Sequence, residues 1–167
     1  MTMISPISTR TVPRFQVSTQ PRLGWSEVAL RCRADIPRAV DEVMGSMEAQ
    51  PFSVTDGFAV QQSTREALET LFTQFRIALG DTVWLRFVVS PESVWIEIEA
   101  PHSHSETTPP DEPVLLGSEL SGPRGALIKS FMTSVEYRDQ GRRVLLTRSR
   151  GRGAAINGPP PGYDFQI

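Results

Sequence analysis

The sequence predicts a two-layer α/β (α+β) sandwich in which helices cover one face of a mostly antiparallel, mixed sheet. Segments in which apolar and polar residues alternate, as in strands, flank segments in which apolar residues recur with the 3.6-residue period of a helix. Their order is strand, helix, helix, strand, strand, long loop, helix, strand, strand. A chain of 167 residues with 39% apolar residues is the size of one such domain.

The first strand is predicted at residues 27–34, which alternate in polarity. Asp35 and Pro37 then give a helix start signal, and helical spacing continues to Glu48. The apolar residues of these two elements should face the core: Val28, Leu30, Cys32, Ile36, Val40, Val43, Met44 and Met47.

The second helix begins between Ser53 and Asp56 and, if unbroken to Leu79, would be about 36 Å long. Its apolar stripe comprises Leu68, Leu71, Phe72, Phe75 and Leu79, and its polar side carries Ser63, Glu66, Thr70 and Gln74. Strands Val83–Val89 and 94–99 follow, joined by a turn at residues 90–93. The second of these strands has one apolar face, of Val94, Ile96 and Ile98, and one mixed face, of Trp95, Glu97 and Glu99.

The last elements are a short helix after Gly122-Pro123 and two strands, at residues 135–137 and 143–147. Asp139-Gln140-Gly141 forms the turn between those strands. A helix that starts behind a glycine turn can bind an anion, although most such turns only reverse the chain. The helix gathers its apolar residues on one side: Leu127, Ile128, Phe131 and Met132.

The domain is predicted at residues 24–149, between a flexible N-terminal arm at 1–23 and a flexible Gly/Pro-rich tail at 150–167. A long irregular loop, predicted at residues 100–121, contains His102 and His104. These two histidines are compatible with a metal site, but a solvated loop pair is favoured because no cysteine and only scattered carboxylates lie near them in sequence.

The composition limits which partners and which cellular location we expect for the protein. The net charge of −2, without a basic face, argues against direct nucleic-acid binding. No apolar run approaches the length of about 20 residues that a membrane span needs. The single cysteine, Cys32, is consistent with a reducing cytosol, so we expect a cytoplasmic protein.

Three segments carry a resemblance to a known family: FSVTDGFAVQQSTREALETLFTQF, VWIEIEAP and SGPRGALIKSFMTSVEYRDQGRRVLLTR. They resemble the anti-sigma factor and serine-protein kinase family of the RsbW and SpoIIAB type, over about residues 28–148. This family belongs to the histidine-kinase-like (GHKL) ATPase superfamily. The resemblance therefore implies the Bergerat ATP-binding fold.

The helix motif of that family has the form Glu-Ala-x-x-Asn-Ala-x-x-His. Here Glu66-Ala67 matches its start, which implies that Glu66 is the general base. Thr70 stands at the position of the Asn that helps to hold Mg²⁺, and Gln74 at that of the His. A Thr hydroxyl is a poorer metal ligand than an amide oxygen, so Thr70 is a weak Mg²⁺ candidate.

The family's Asp-x-Gly-x-Gly motif corresponds here to Glu99-Ala100-Pro101-His102-Ser103, with Glu99 as the implied adenine contact. Both glycines are missing, and Pro101 has a fixed φ. The Gly-x-Gly motif survives in part as Gly122, Arg124 and Gly125. The resemblance thus implies an ATP site at degenerate positions, where ATP and Mg²⁺ bind weakly or not at all.

The resemblance implies an anti-sigma-like regulator in a bacterial partner-switching system, which binds a sigma factor or a STAS-domain anti-anti-sigma protein and can form a homodimer. The alternative is an active ATP-dependent serine-protein kinase that phosphorylates a STAS protein, with Glu66 as base, Thr70 as metal ligand and Glu99 at the adenine. An interaction domain of an unrelated pathway is a third possibility, because a fold does not fix a function.

Overall fold

The computed structural model describes residues 24–75, 77–101 and 123–151. This part of the chain contains five strands and three α-helices. Its strands are β1 (Ser26–Leu30), β2 (Val83–Val89), β3 (Ser93–Glu99), β4 (Ser134–Arg138) and β5 (Arg143–Ser149). Its α-helices are α1 (Ile36–Glu48), α2 (Val54–Gln74) and α3 (Pro123–Phe131).

The five strands form one sheet in the order β1-β2-β3-β5-β4, and every neighbouring pair is antiparallel. The α+β class is confirmed. The expected mixture of parallel and antiparallel pairs is not found among these five strands. Two of the four pairs, β2-β3 and β4-β5, are hairpins, and strands joined by short turns must run in opposite directions.

The helices pack on one face of the sheet and bury the apolar side chains that point to that face from each strand. Helix α1 contacts β1 and β2, whereas α2 contacts β3 and β5, and α3 lies against α2 and β4. The core that results joins both layers and includes Leu30, Val40, Leu68, Leu85, Ile96, Ile98, Ile128 and Leu146. The other side of the sheet, which we call the outer face, is mixed, because Glu97 and Glu99 lie there beside the apolar residues Trp95 and Leu145.

Helix α2 is shorter than the sequence predicted. Phe75 has extended backbone angles and ends the helix, and Leu79 is fully exposed instead of being part of the apolar stripe. Gly80 adopts a φ of +99°, and the Asp81 carboxylate accepts a hydrogen bond from the N–H of Ala78. This local turn redirects the chain into β2, which a longer helix would prevent.

Strand β1 also ends earlier than predicted, at Leu30, and Cys32 is exposed. The carboxylate of Asp35 accepts hydrogen bonds from the N–H groups of Arg31 and Cys32. These bonds bend the chain into a helical turn directly before α1. Residues 31–34, which the alternation of polarity assigned to the strand, therefore belong to the turn that Asp35 stabilises before α1.

The C-terminal hairpin follows its prediction and extends beyond it. The turn at 139–141 places three successive residues at positive φ, with Gly141 at +83°. On α3, Ile128 is buried as expected, and so is Met132 just beyond the helix, whereas Leu127 is 39% exposed.

Several predictions fall on residues outside the described ranges: the arm at 1–23, the His102 and His104 loop, Gly122, and the tail from 152 onward. Within the ranges given above, none of the helices combines the length and the apolar character that crossing a bilayer requires.

Candidate functional site

Glu66 and Arg124 face each other across the interface between α2 and α3. The distance from Arg124 Nε to Glu66 Oε2 is 3.7 Å. The two side chains are 61% and 30% exposed, for Arg124 and Glu66 respectively, so water screens their attraction. The structure thus brings together two positions that the family motifs single out, and pairs the candidate base with a cation.

Thr70 lies on the same side of α2, one turn beyond Glu66. This side was expected to be polar and opposite to the apolar stripe, yet Thr70 and Ser63 are both buried. Their hydroxyl oxygens have no hydrogen-bond partner within the described residues. Gln74, one further turn along, is half-buried. The buried hydroxyls show that neighbouring elements, and not solvent, cover much of this side.

Glu99 lies on the outer face of the sheet, away from the helices. Its carboxylate accepts hydrogen bonds from Arg86 Nη1 at 2.6 Å and from Arg143 Nη2 at 2.9 Å. Burial alone would raise the pKa of Glu99, but the bonds from these two arginines outweigh it and lower the pKa below its ordinary value of 4.5. The carboxylate is therefore ionised and held between two guanidinium groups.

Arg86 connects Glu99 to two more carboxylates on the outer face. Its Nε bonds Glu27 at 2.6 Å, and its Nη1 lies 3.2 Å from Glu97, which is fully buried. Sequence reasoning missed this network. Its signal was present, because Arg86 stands among the apolar residues of β2, and Glu97 and Glu99 alternate with apolar residues in β3. A charged residue buried on a sheet needs a partner.

The residues predicted for an ATP site are therefore divided between the two sides of the sheet. Glu66, Thr70, Arg124 and the buried Gly125 lie on the helix side, whereas Glu99 lies on the outer face. In the part of the chain that is described, no group of three His, Cys, Asp or Glu residues could hold a metal ion. Glu99 therefore faces away from Glu66 and Thr70, which does not fit the single ATP site that the family resemblance implies for these residues.

A buried ion pair, also missed from the sequence, fixes α2 and α3 on the sheet. Arg148 of β5 donates from Nε and Nη2 to Asp56 Oδ1 of α2, at 2.8 and 2.6 Å. It also donates to the backbone carbonyl of Phe131 at the end of α3. Burial opposes ionisation of Asp56, but hydrogen bonds from Ser53 and Arg148 lower its pKa. The period-2 alternation places Arg148 on the same face as the core residue Leu146, which indicates a buried arginine but does not identify its partner.

Apolar side chains remain exposed where the beginning of α2 lies against the end of α3. Val54 is 92% exposed and Phe58 52% exposed, and Phe58 makes an edge-to-face contact with Phe131, with ring centroids 5.7 Å apart. Leu127, one helical turn before Phe131 on α3, is also exposed. An apolar surface next to polar residues is typical of sites that bind other proteins.

The chain was compared with models of known protein families and with characterised proteins. No family model matches it, and no characterised protein shows a significant match.

Proposed function

We propose that this protein is an anti-sigma-like regulatory module that acts by binding protein partners, with ATP binding weak or lost. The observation that carries the proposal is the position of Glu99, on the opposite side of the sheet from Glu66 and Thr70 and between two arginines. Each oxygen of the Glu99 carboxylate already accepts a charged hydrogen bond, and these bonds hold the group on the outer face, away from Glu66 and Thr70.

The exposed apolar residues of α2 and α3 support a protein-binding role. Val54 is almost wholly exposed although it begins a helix whose other side forms the core. By the family resemblance, the partners are a sigma factor or a STAS-domain anti-anti-sigma protein, and a second copy of the chain is a further candidate. A Bergerat-type fold is part of the same proposal, which the two-layer α+β architecture supports.

One observation favours the alternative function, an ATP-dependent serine-protein kinase. Glu66 and Arg124 occupy the expected positions for a base and an anion contact, and they lie together at the α2-α3 interface. Kinases depend on positioning and on charge stabilisation of the phosphoryl group. The buried hydroxyl of Thr70 is poorly suited to that task, so the binding function is preferred.

Isothermal titration with a non-hydrolysable ATP analogue, with and without Mg²⁺, separates the two functions. We expect no measurable binding at millimolar nucleotide. Micromolar binding that requires Mg²⁺ would contradict the proposal and favour the kinase, and Glu66→Gln would then be tested for loss of phosphoryl transfer. Arg150→Gln, an exposed substitution outside the candidate site, provides the matched control.

A further inference from the structure

A groove of about 370 Å³ lies between the end of α1 and the beginning of α2. Met44 and Met47 line it from α1, and Val54 and Phe58 line it from α2. Met47 is buried, whereas Val54 and Phe58 are largely exposed at the rim. The groove therefore presents apolar side chains to the surrounding water, and a partner that covered them would gain the free energy of their burial.

Gly57 sets the shape of the groove. A Cβ atom at this position would lie 3.3 Å from Met44 Cε, closer than side chains normally pack. Glycine within a helix costs about 1 kcal/mol relative to alanine, so its presence here needs a compensating reason. The close approach of Met44 to the α2 backbone supplies one. Methionine side chains adapt their shape to a bound surface, which suits a protein-binding groove.

The α1 side of the groove has an acidic edge. Glu48 lines the groove, and Asp41, seven positions earlier, lies on nearly the same side of the helix, about 10 Å away and beyond the residues that line the groove. Both are exposed. Asp41 lines a neighbouring surface pocket with Arg38 and Glu42. Residues 40–48 contain three acidic residues and no Lys or Arg. The α2 side differs, because Gln61 lines the groove there and the exposed Arg65 follows one turn later.

We propose that this groove binds an amphipathic helix of a partner protein, whose apolar stripe packs on Met44 and Phe58. One edge of that stripe carries two Lys or Arg residues seven positions apart, which pair with Asp41 and Glu48. Charge complementarity favours this occupant, because Glu48 in the groove and Asp41 beyond its end repeat along one edge of α1 at a spacing of two helical turns. This inference rests on the proposed protein-binding function and specifies its binding surface.

A pair of labelled peptides tests the inference by fluorescence anisotropy. One is an 18-residue amphipathic helix with a Leu stripe and two Lys residues at the spacing above, and its twin carries Glu at the two Lys positions. We expect the Lys peptide to bind about tenfold more tightly than its twin, the effect of two partly exposed ion pairs. Phe58→Ala should weaken the Lys peptide about tenfold, as expected for an aromatic contact residue.

The charge-reversed variant Asp41→Lys/Glu48→Lys provides the sharpest readout, because the preference should change to the Glu peptide. Leu79→Ala is the matched control, since Leu79 is a fully exposed apolar residue outside the groove. Equal binding of the two peptides to the wild-type protein, or an unchanged preference in the reversed variant, would overturn the inference. If the reversed variant still binds a sigma factor or STAS protein with wild-type affinity, the groove is wrong while the proposed function stands.

Discussion

Arg148 is a buried cation that donates hydrogen bonds to residues of two helices, Asp56 of α2 and Phe131 of α3. Asp56 and Arg148 are 2% and 4% exposed. Such a pair contributes little beyond a well-packed apolar pair, but removing one partner leaves the other charge buried and uncompensated.

Arg148→Met should therefore lower the free energy of unfolding by about 3–5 kcal/mol, because Asp56 loses its counter-charge. Urea denaturation measures the change. The control Arg150→Met alters an exposed arginine two residues away and should change the free energy by less than about 0.5 kcal/mol. The double variant Asp56→Leu/Arg148→Met should recover part of the loss. A loss below about 1 kcal/mol in Arg148→Met would contradict the buried-pair interpretation.

Glu99 gives a pH-dependent contribution to stability. Its pKa is lower in the folded protein than its ordinary value of 4.5, so its stabilisation is complete above that value and is lost as the pH falls through the folded pKa. Glu99→Gln should therefore reduce the free energy of unfolding at neutral pH and make it less dependent on pH in the acid range. Urea denaturation of both proteins over that range measures this. An equal acid dependence of the wild-type protein and the variant would contradict the role of Arg86 and Arg143.

Helix α2 carries polar side chains that are buried without hydrogen bonds to neighbouring residues in the described part of the chain. Ser63 and Thr70 are buried, and their hydroxyl oxygens have no partner within the described ranges. An unsatisfied buried hydroxyl costs free energy, whereas an apolar group of the same shape does not.

Thr70→Val should therefore raise the free energy of unfolding, by about 1 kcal/mol, since it removes that hydroxyl and keeps the β-branched shape. Thermal or urea denaturation measures the gain. Thr73→Val is the matched control on the exposed side, where the Thr73 hydroxyl accepts a hydrogen bond from Arg33, and it should give no gain. A destabilised Thr70→Val would show that the hydroxyl has a stabilising partner in the folded protein.

The elements that the sequence predicted well are those whose signals are local. Strand β2 has the predicted bounds, and the β2-β3 turn lies where Ser90 and Pro91 placed it. The end of α2 was missed because the turn at Gly80 and Asp81 competes with helical periodicity. The outer-face position of Glu99 was predictable, since it alternates with Ile96 and Ile98. The pairing of Asp56 with Arg148 was not, because these residues are 92 positions apart and only the packed helices bring them together.

On the scale of the whole molecule, the two sides of the sheet have different roles. The outer face carries a network of carboxylates and arginines that includes Glu99, and the helix side carries the Glu66-Arg124 pair and the acidic groove. This division separates the residues for which the family resemblance implies nucleotide contacts, while apolar surface remains exposed on the helices. The arrangement supports the proposed function as a binding module.

The central claim is tested most directly by ¹⁵N-resolved NMR of the full chain during two titrations, one with Mg²⁺ and an ATP analogue and one with the Lys-edged peptide. We expect nucleotide to leave the amides of Glu66, Thr70 and Glu99 unchanged, and the peptide to shift those of Met44 and Phe58. Saturable shifts of Glu66, Thr70 and Glu99 together at micromolar nucleotide would contradict the account, because they would show that these positions form a functional nucleotide site.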